Sequence, residues 1–166
     1  MPPPRPARQA ATTWGGAARR AVPLQRAADR YPSGIEEREA LTEAEGLLAA
    51  NQAFYDAFEA ADLDAMSDVW AHDEDILCTH PGWATLHGWA AVSASWFTLF
   101  NNDQSLQFIL TNERARVNGE VAWVTCDENI LGDGSGGTAA ALNLFSLIAG
   151  RWRMVGHHAS PVAPHL

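Results

Sequence analysis

Residues 106–131, LQFILTNERARVNGEVAWVTCDENIL, decide the fold. Leu106, Phe108 and Leu110 alternate with Gln107, Ile109 and Thr111, and the run continues through Val117 into Asn118-Gly119, a pair suited to a tight hairpin turn. The return strand is Glu120 to Leu131. The glycine-rich stretch GDGSGG then leads to a strand over Thr138–Ala149, and Gly150 turns the chain into a last strand, Arg151–His158. The second half of the chain therefore reads as four consecutive antiparallel strands.

Upstream of the hairpin the period changes. Leu41, Ala44, Leu47, Leu48, Asn51, Phe54, Tyr55 and Phe58 recur at steps of three and four, which sets them on one face of a helix running to about Ala61. Asp62 or Asp64 can cap a short second helix carrying Leu63, Met66, Val69 and Trp70. Asp75 to His80 alternates as a strand and stops at the turn pair Pro81-Gly82; a third helix follows Gly88 with Trp89, Val92, Trp96, Phe97 and Phe100 at helical spacing. Helices followed by a run of strands specify an α+β fold, with helices packed on one face of a curved antiparallel sheet.

Residues 1–33 differ in composition from the rest. They hold six of the chain's eleven arginines against one acid, Asp29, although the whole chain carries a net charge of −9. The segment is rich in Pro, Ala and Arg with little periodic apolar surface, and reads as a disordered tail ahead of a domain over residues 34–166. Arg19-Arg20 is followed by Pro23, Gln25 and Arg26 where a twin-arginine signal would be apolar. An Arg-rich, acid-poor transit peptide fits better, although Ser is scarce and the Pro cluster is unfavourable; the alternative is a start assigned too early and a segment without function.

The 166 residues contain no lysine, which excludes Schiff-base chemistry and the lysine of a phosphate-binding GxxxxGK loop. The acidic balance argues against nucleic acid as a partner, and no apolar run reaches the ~20 residues that span a membrane. Cys78 and Cys126 form no CxxC pair, so a reducing cytoplasm is the expected location. His157 and His158 are adjacent on a strand and point to opposite faces, and no HExxH pattern occurs, so neither a metal nor a cofactor is expected.

The order helix, helix, strand, helix, four strands resembles the nuclear transport factor 2-like superfamily, which includes steroid delta-isomerases, SnoaL-like polyketide cyclases and limonene epoxide hydrolase. FEAADLDAMSDVWAHDEDI, residues 58–76, resembles the second-helix region of the isomerases and SnoaL-like proteins. GRWRMVGHHASPVAP, residues 150–164, resembles the last strand of the association domain of calcium/calmodulin-dependent protein kinase II. The resemblance covers about Ile35 to Pro164 and implies a cone whose interior takes up a small molecule.

Polar residues aimed into that cone are the candidates for chemistry. By resemblance, His80 falls at the strand end where the isomerases place a carboxylate base. An imidazole of pKa ~6.5 suits proton transfer there, and capping the Pro81-Gly82 turn is its alternative role. The isomerase carboxylate itself is missing, so steroid isomerisation does not carry over. Asn143 is the one amide in an apolar strand and needs either a protein partner or a ligand; by resemblance it lies where the isomerases donate a proton to an oxyanion. Asp127 and Glu128 face opposite ways, and parity with Trp123 and Thr125 favours Asp127 as the inward one.

Tyr55 resembles the isomerase oxyanion tyrosine displaced by one residue, with Phe54 in the aligned position. His158 matches the recurrent histidine of the family's last strand and shares a face with Trp152 and Met154 by simple alternation; bonding a neighbouring strand is its structural alternative. Six of the seven tryptophans lie in the folded part; Trp96 and Trp123 fill a core or line a pocket, and Trp83, in a loop, suits a cone mouth. Cys78 and His80, two apart on a strand, are expected ~7 Å apart and too distant for a dyad.

Two functions follow. One is a pocket for a small hydrophobic ligand with acid/base isomerisation, cyclisation or hydration of a carbonyl compound. The other is a non-catalytic ligand-binding or association domain. Both faces of Ala140–Ile148 are apolar, so a homodimer through the sheet is expected.

Overall fold

The structure, a computed structural model, describes residues 34–102, 106–132 and 135–163. The expected tail over residues 1–33 lies outside the described residues. The chain order is α1 (Gly34–Glu59), α2 (Leu63–Val69), β1 (Leu77–Thr79), β2 (Leu86–His87), α3 (Trp89–Phe100), β3 (Leu106–Asn118), β4 (Val121–Gly132), β5 (Ser135–Ile148) and β6 (Arg151–Pro161). Among the described residues no helix is long and apolar enough to cross a membrane.

The apolar stripe of α1 buries Leu47, Asn51, Phe54 and Tyr55 against the sheet. Asp62 caps α2, its Oδ1 accepting from the backbone N–H groups of Asp64 and Ala65 at 3.0 Å each. Gly88 starts α3 at φ 76, with the Glu74 backbone 3.4 Å from where a Cβ would stand, so a side chain here would be both strained and crowded.

The strands form one six-stranded sheet in the order β2-β1-β6-β5-β4-β3. All pairings are antiparallel except that of β1 with β6, which is parallel because the first strand is laid beside the last. Strand β2 was not foreseen; two residues are too few to show alternation. The expected strand over Asp75–His80 is confined to Leu77–Thr79, leaving His80 just past its end.

Two bulges bend the sheet into the cone. One interrupts β3 between Thr111 and Arg114, with Asn112 at φ 56. The other shifts the β5–β6 register between Leu144 and Phe145, so that Leu144 pairs with Gly156 and Phe145 with Met154, and Val155 is the extra residue. Helix α1 and the sheet hold between them a layer of interlocked rings. Phe54 meets Trp96 edge-on at 5.5 Å, and Phe58 meets Trp96 at 5.2 Å and Phe108 at 4.8 Å.

Candidate functional site

Between that aromatic layer and the sheet lies a cavity of about 170 Å³. Phe54, Phe58, Trp96, Phe108 and Ile130 form its walls, and it opens past Pro81 and Trp83, both exposed. Four polar side chains line it: Tyr55, His80, Glu128 and His157. All four are buried, and among the described residues no arginine accompanies them. Apolar cavities of ~150 Å³ take up benzene, so the space fits a molecule of about one ring.

The four belong to two hydrogen-bonded groups. The Tyr55 hydroxyl donates to Glu128 Oε1 at 2.8 Å and accepts from Asn143 Nδ2 at 3.1 Å, with Cys126 Sγ at 3.3 Å. Asn143 Nδ2 also donates to Asn51 Oδ1 at 2.8 Å, and Asn51 Nδ2 donates to Glu113 Oε1 at 3.2 Å. On its other side, Asn143 Oδ1 lies 2.7 Å from His157 Nδ1. An amide oxygen has no proton to give, so this bond puts the imidazole proton on Nδ1 and leaves the lone pair on Nε2.

His80 is fixed in a similar way. Ser95 donates its hydroxyl proton to the Val92 carbonyl at 2.7 Å, so the 2.9 Å contact between Ser95 Oγ and His80 Nε2 is filled by the imidazole proton. His80 Nδ1 then carries the lone pair. The Cys78 thiol approaches His80 Nε2 to 3.7 Å, closer than regular strand spacing allows, because His80 has left the strand. Burial pushes that thiol up to about 12, so it stays protonated and is no nucleophile.

Burial sets the electrostatics of the whole site. It lowers His157 to about 3, with smaller contributions from His80 and His158, and lowers His80 to about 4. Both imidazoles are neutral at pH 7. Burial raises the Glu128 carboxyl to about 7 against the opposing effect of the Tyr55 hydrogen bond, so this carboxyl is the site's one group that changes charge near neutrality. Tyr55 is raised far above its ordinary range by burial and by the adjacent Glu128.

Of the sequence candidates, His80, Tyr55, Trp83 and Trp96 line the cavity. Asn143 is buried behind it, with both amide protons and its oxygen already bonded to Asn51, Tyr55 and His157. Its N–H groups are therefore committed within the protein.

Three candidates lie elsewhere. Asp127 is half-buried on the opposite side of β4 and accepts from Asn112 Nδ2 at 2.6 Å, which ties β4 to the bulge of β3; Glu128 takes the inward position. Trp123 shares the parity of Asp127 and sits on that same outer face. The reason is steric: Ala122, Val124 and Cys126 are small enough to pass under the helix layer. His158 is exposed, and His157 is the inward histidine. Because Val155 is the extra residue of the bulge, Met154 and His157 share a face although three positions apart, and simple alternation fails.

Residues 47–164 match the family described as a SnoaL-like domain. A solved structure of a proposed dehydratase of the NTF2-like family from Streptomyces avermitilis is 36% identical with a TM-score of 0.69, the match covering 74% of this chain and 97% of that one. A proposed calcium/calmodulin-dependent protein kinase type II association domain from Thiobacillus denitrificans is 39% identical with a TM-score of 0.61, covering 69% and 94%. The F-box protein SKIP8 of Arabidopsis thaliana is 31% identical over 128 residues, 77% of this chain and 54% of that protein, so the chain spans about half the length of that curated relative.

Proposed function

The chain belongs to the SnoaL-like domain family, whose fold supports ligand binding or small-molecule conversion, and from its cavity we propose that it adds or removes water on a small hydroxylated carbonyl compound. The observation that carries this reading is Glu128, a buried carboxyl near pH 7 that faces an apolar space shared with two neutral imidazoles. Tyr55 occupies Oε1, so the Glu128 proton rides on the other oxygen. In the elimination direction, His157 Nε2 accepts the proton on the carbon next to the carbonyl, the carbon–carbon double bond forms and the C–O bond breaks. The hydroxyl departs as water with the proton of Glu128. Return of the proton from His157 to Glu128 resets the site, and hydration is the same sequence reversed. His80, held by Ser95 and the Cys78 thiol, shapes the cavity beside the substrate hydroxyl, Asn143 and Tyr55 position the reacting groups, and Trp83 and Trp96 provide apolar wall. The proposed dehydratase at 36% identity favours the same class of reaction.

The test is conversion of 3-hydroxycyclohexanone to cyclohexenone, followed by the ultraviolet absorption of the enone. Turnover should fall as pH rises through 7 and drop ~10²–10⁴-fold in Glu128→Gln. A Glu128→Gln protein as active as the parent, or a parent that binds the compound without converting it, would refute the catalytic reading.

A second reading is compatible with the first. The outer face of the sheet exposes Val121, Leu142 and Ile148 toward one end and Ile109 and Leu131 toward the other, apolar residues suited to a second copy of the chain, and the resemblance to an association domain at 39% identity points the same way. With both cysteines free and buried, a reducing cytoplasm suits the protein.

A further inference from the structure

With Glu128 ionised, the protons of the cavity floor are all spent inside the protein. Tyr55 gives its proton to Glu128, His157 Nδ1 gives its proton to Asn143 and His80 Nε2 gives its proton to Ser95. What remains for a ligand is the second Glu128 oxygen and the lone pair of His157 Nε2, since His80 Nδ1 has the protonated Cys78 thiol 4.0 Å away. His157 Nε2 has no partner among the described residues and is not sealed from the space, whereas the indole N–H of Trp96, the unpartnered donor in the wall, is sealed. Among the described residues no arginine lines the cavity, and the chain has no lysine.

From this arrangement we infer that the cavity recognises its ligand by the ligand's own hydroxyl protons, selecting a neutral one-ring hydroxyl compound and rejecting carboxylates. The inference rests on the cavity being the ligand site. A hydroxyl placed on the floor satisfies acceptors that otherwise face apolar space, while a carboxylate meets only lone pairs and negative charge and loses its hydration without compensation. A cation would bury its full charge against a single carboxyl whose other oxygen is already bonded. The about 170 Å³ of space limits the ligand to roughly one ring.

Phenol, benzene and benzoate test this, titrated into the full chain at pH 8, where Glu128 is ionised, with calorimetry and the histidine-ring nitrogen resonances of His80 and His157 as readouts. The expected result is phenol binding ~10-fold or more tightly than benzene, with a shift of the His157 Nε2 resonance, and benzoate leaving both rings unperturbed. In Glu128→Gln, whose amide can still accept from Tyr55, the phenol advantage narrows and benzoate begins to bind. Benzoate binding as tightly as phenol in the parent protein, or benzene matching phenol, overturns the inference while leaving the cavity as a ligand site. Failure of all three compounds to perturb the rings overturns the inference and the ligand-site reading together.

Discussion

The imidazole of His157 on β6 donates from Nδ1 to the amide oxygen of Asn143 on β5 at 2.7 Å, and both residues are buried. This contact fixes which nitrogen of His157 looks into the cavity. It also makes Asn143 the hub of the buried network, since one amide is bonded to Asn51, Tyr55 and His157 at once.

Asn143→Leu should therefore destabilise the protein by ~1–3 kcal/mol, because it strands the Asn51 oxygen and the His157 N–H in an apolar interior. Urea unfolding checks this. A neutral or stabilising result would mean that the amide's partners are easily replaced and that Asn143 does not organise the site.

Stability should depend on pH in a way that the site dictates. Both histidines are held below their ordinary pKa in the folded state, His157 at about 3 and His80 at about 4, so the unfolded chain binds their protons more readily and stability is lost as pH falls below ~6.5. Glu128 acts with the opposite sign: its pKa is raised from 4.5 to about 7, so its contribution is present below pH 4.5 and lost as pH rises through 7. Relative to the parent, Glu128→Gln should gain on the order of 1–3 kcal/mol between pH 5 and pH 8. Thermal melts of the two proteins across that range provide the check, and parallel curves would contradict the raised carboxyl.

Trp83 stands 43% exposed and meets His80 edge-on at 5.1 Å. Replacing it with alanine should leave the melting temperature within a few degrees, since the ring sits at the cavity mouth with much of its surface in solvent, and should weaken phenol binding several-fold by opening the mouth. A large loss of stability would make Trp83 part of the core.

The exposed residues Val121, Leu142 and Ile148 predict self-association. Light scattering of the parent should give at least twice the chain mass, and Leu142→Arg, placed within that face, should shift the protein toward monomer without unfolding it. A monomeric parent at micromolar concentration would remove this reading.

The long helix was legible because its apolar residues keep a 3.6 period over several turns, and the hairpin because Asn118-Gly119 interrupts two alternating runs. The site was legible in part. His80 and Tyr55 came forward through the family resemblance, His80 at a strand end before a proline turn and Tyr55 one residue from the matching tyrosine, whereas their spacing alone fits a turn cap and a core ring. Glu128 could not be separated from Asp127 by alternation alone, which says that neighbours face opposite ways but not which one faces in. The small residues Ala122, Val124 and Cys126 of the same parity carried the missing signal, since only small side chains fit beneath a packed helix. His157 was hidden by the bulge at Val155, which leaves no mark in residue type. Asn51 was read as one more position of the helical stripe, and its tie to Asn143, 92 residues away, arises only when the sheet folds over α1.

The proposed chemistry needs one proton, held by Glu128 near neutrality. Carbon-detected NMR of the side-chain carboxyls, followed from pH 3 to pH 9, should show one glutamate titrating at about 7 and absent from Glu128→Gln. If every glutamate in the parent titrates below ~5, Glu128 is an ordinary ionised carboxylate, and the cavity has no acid to give.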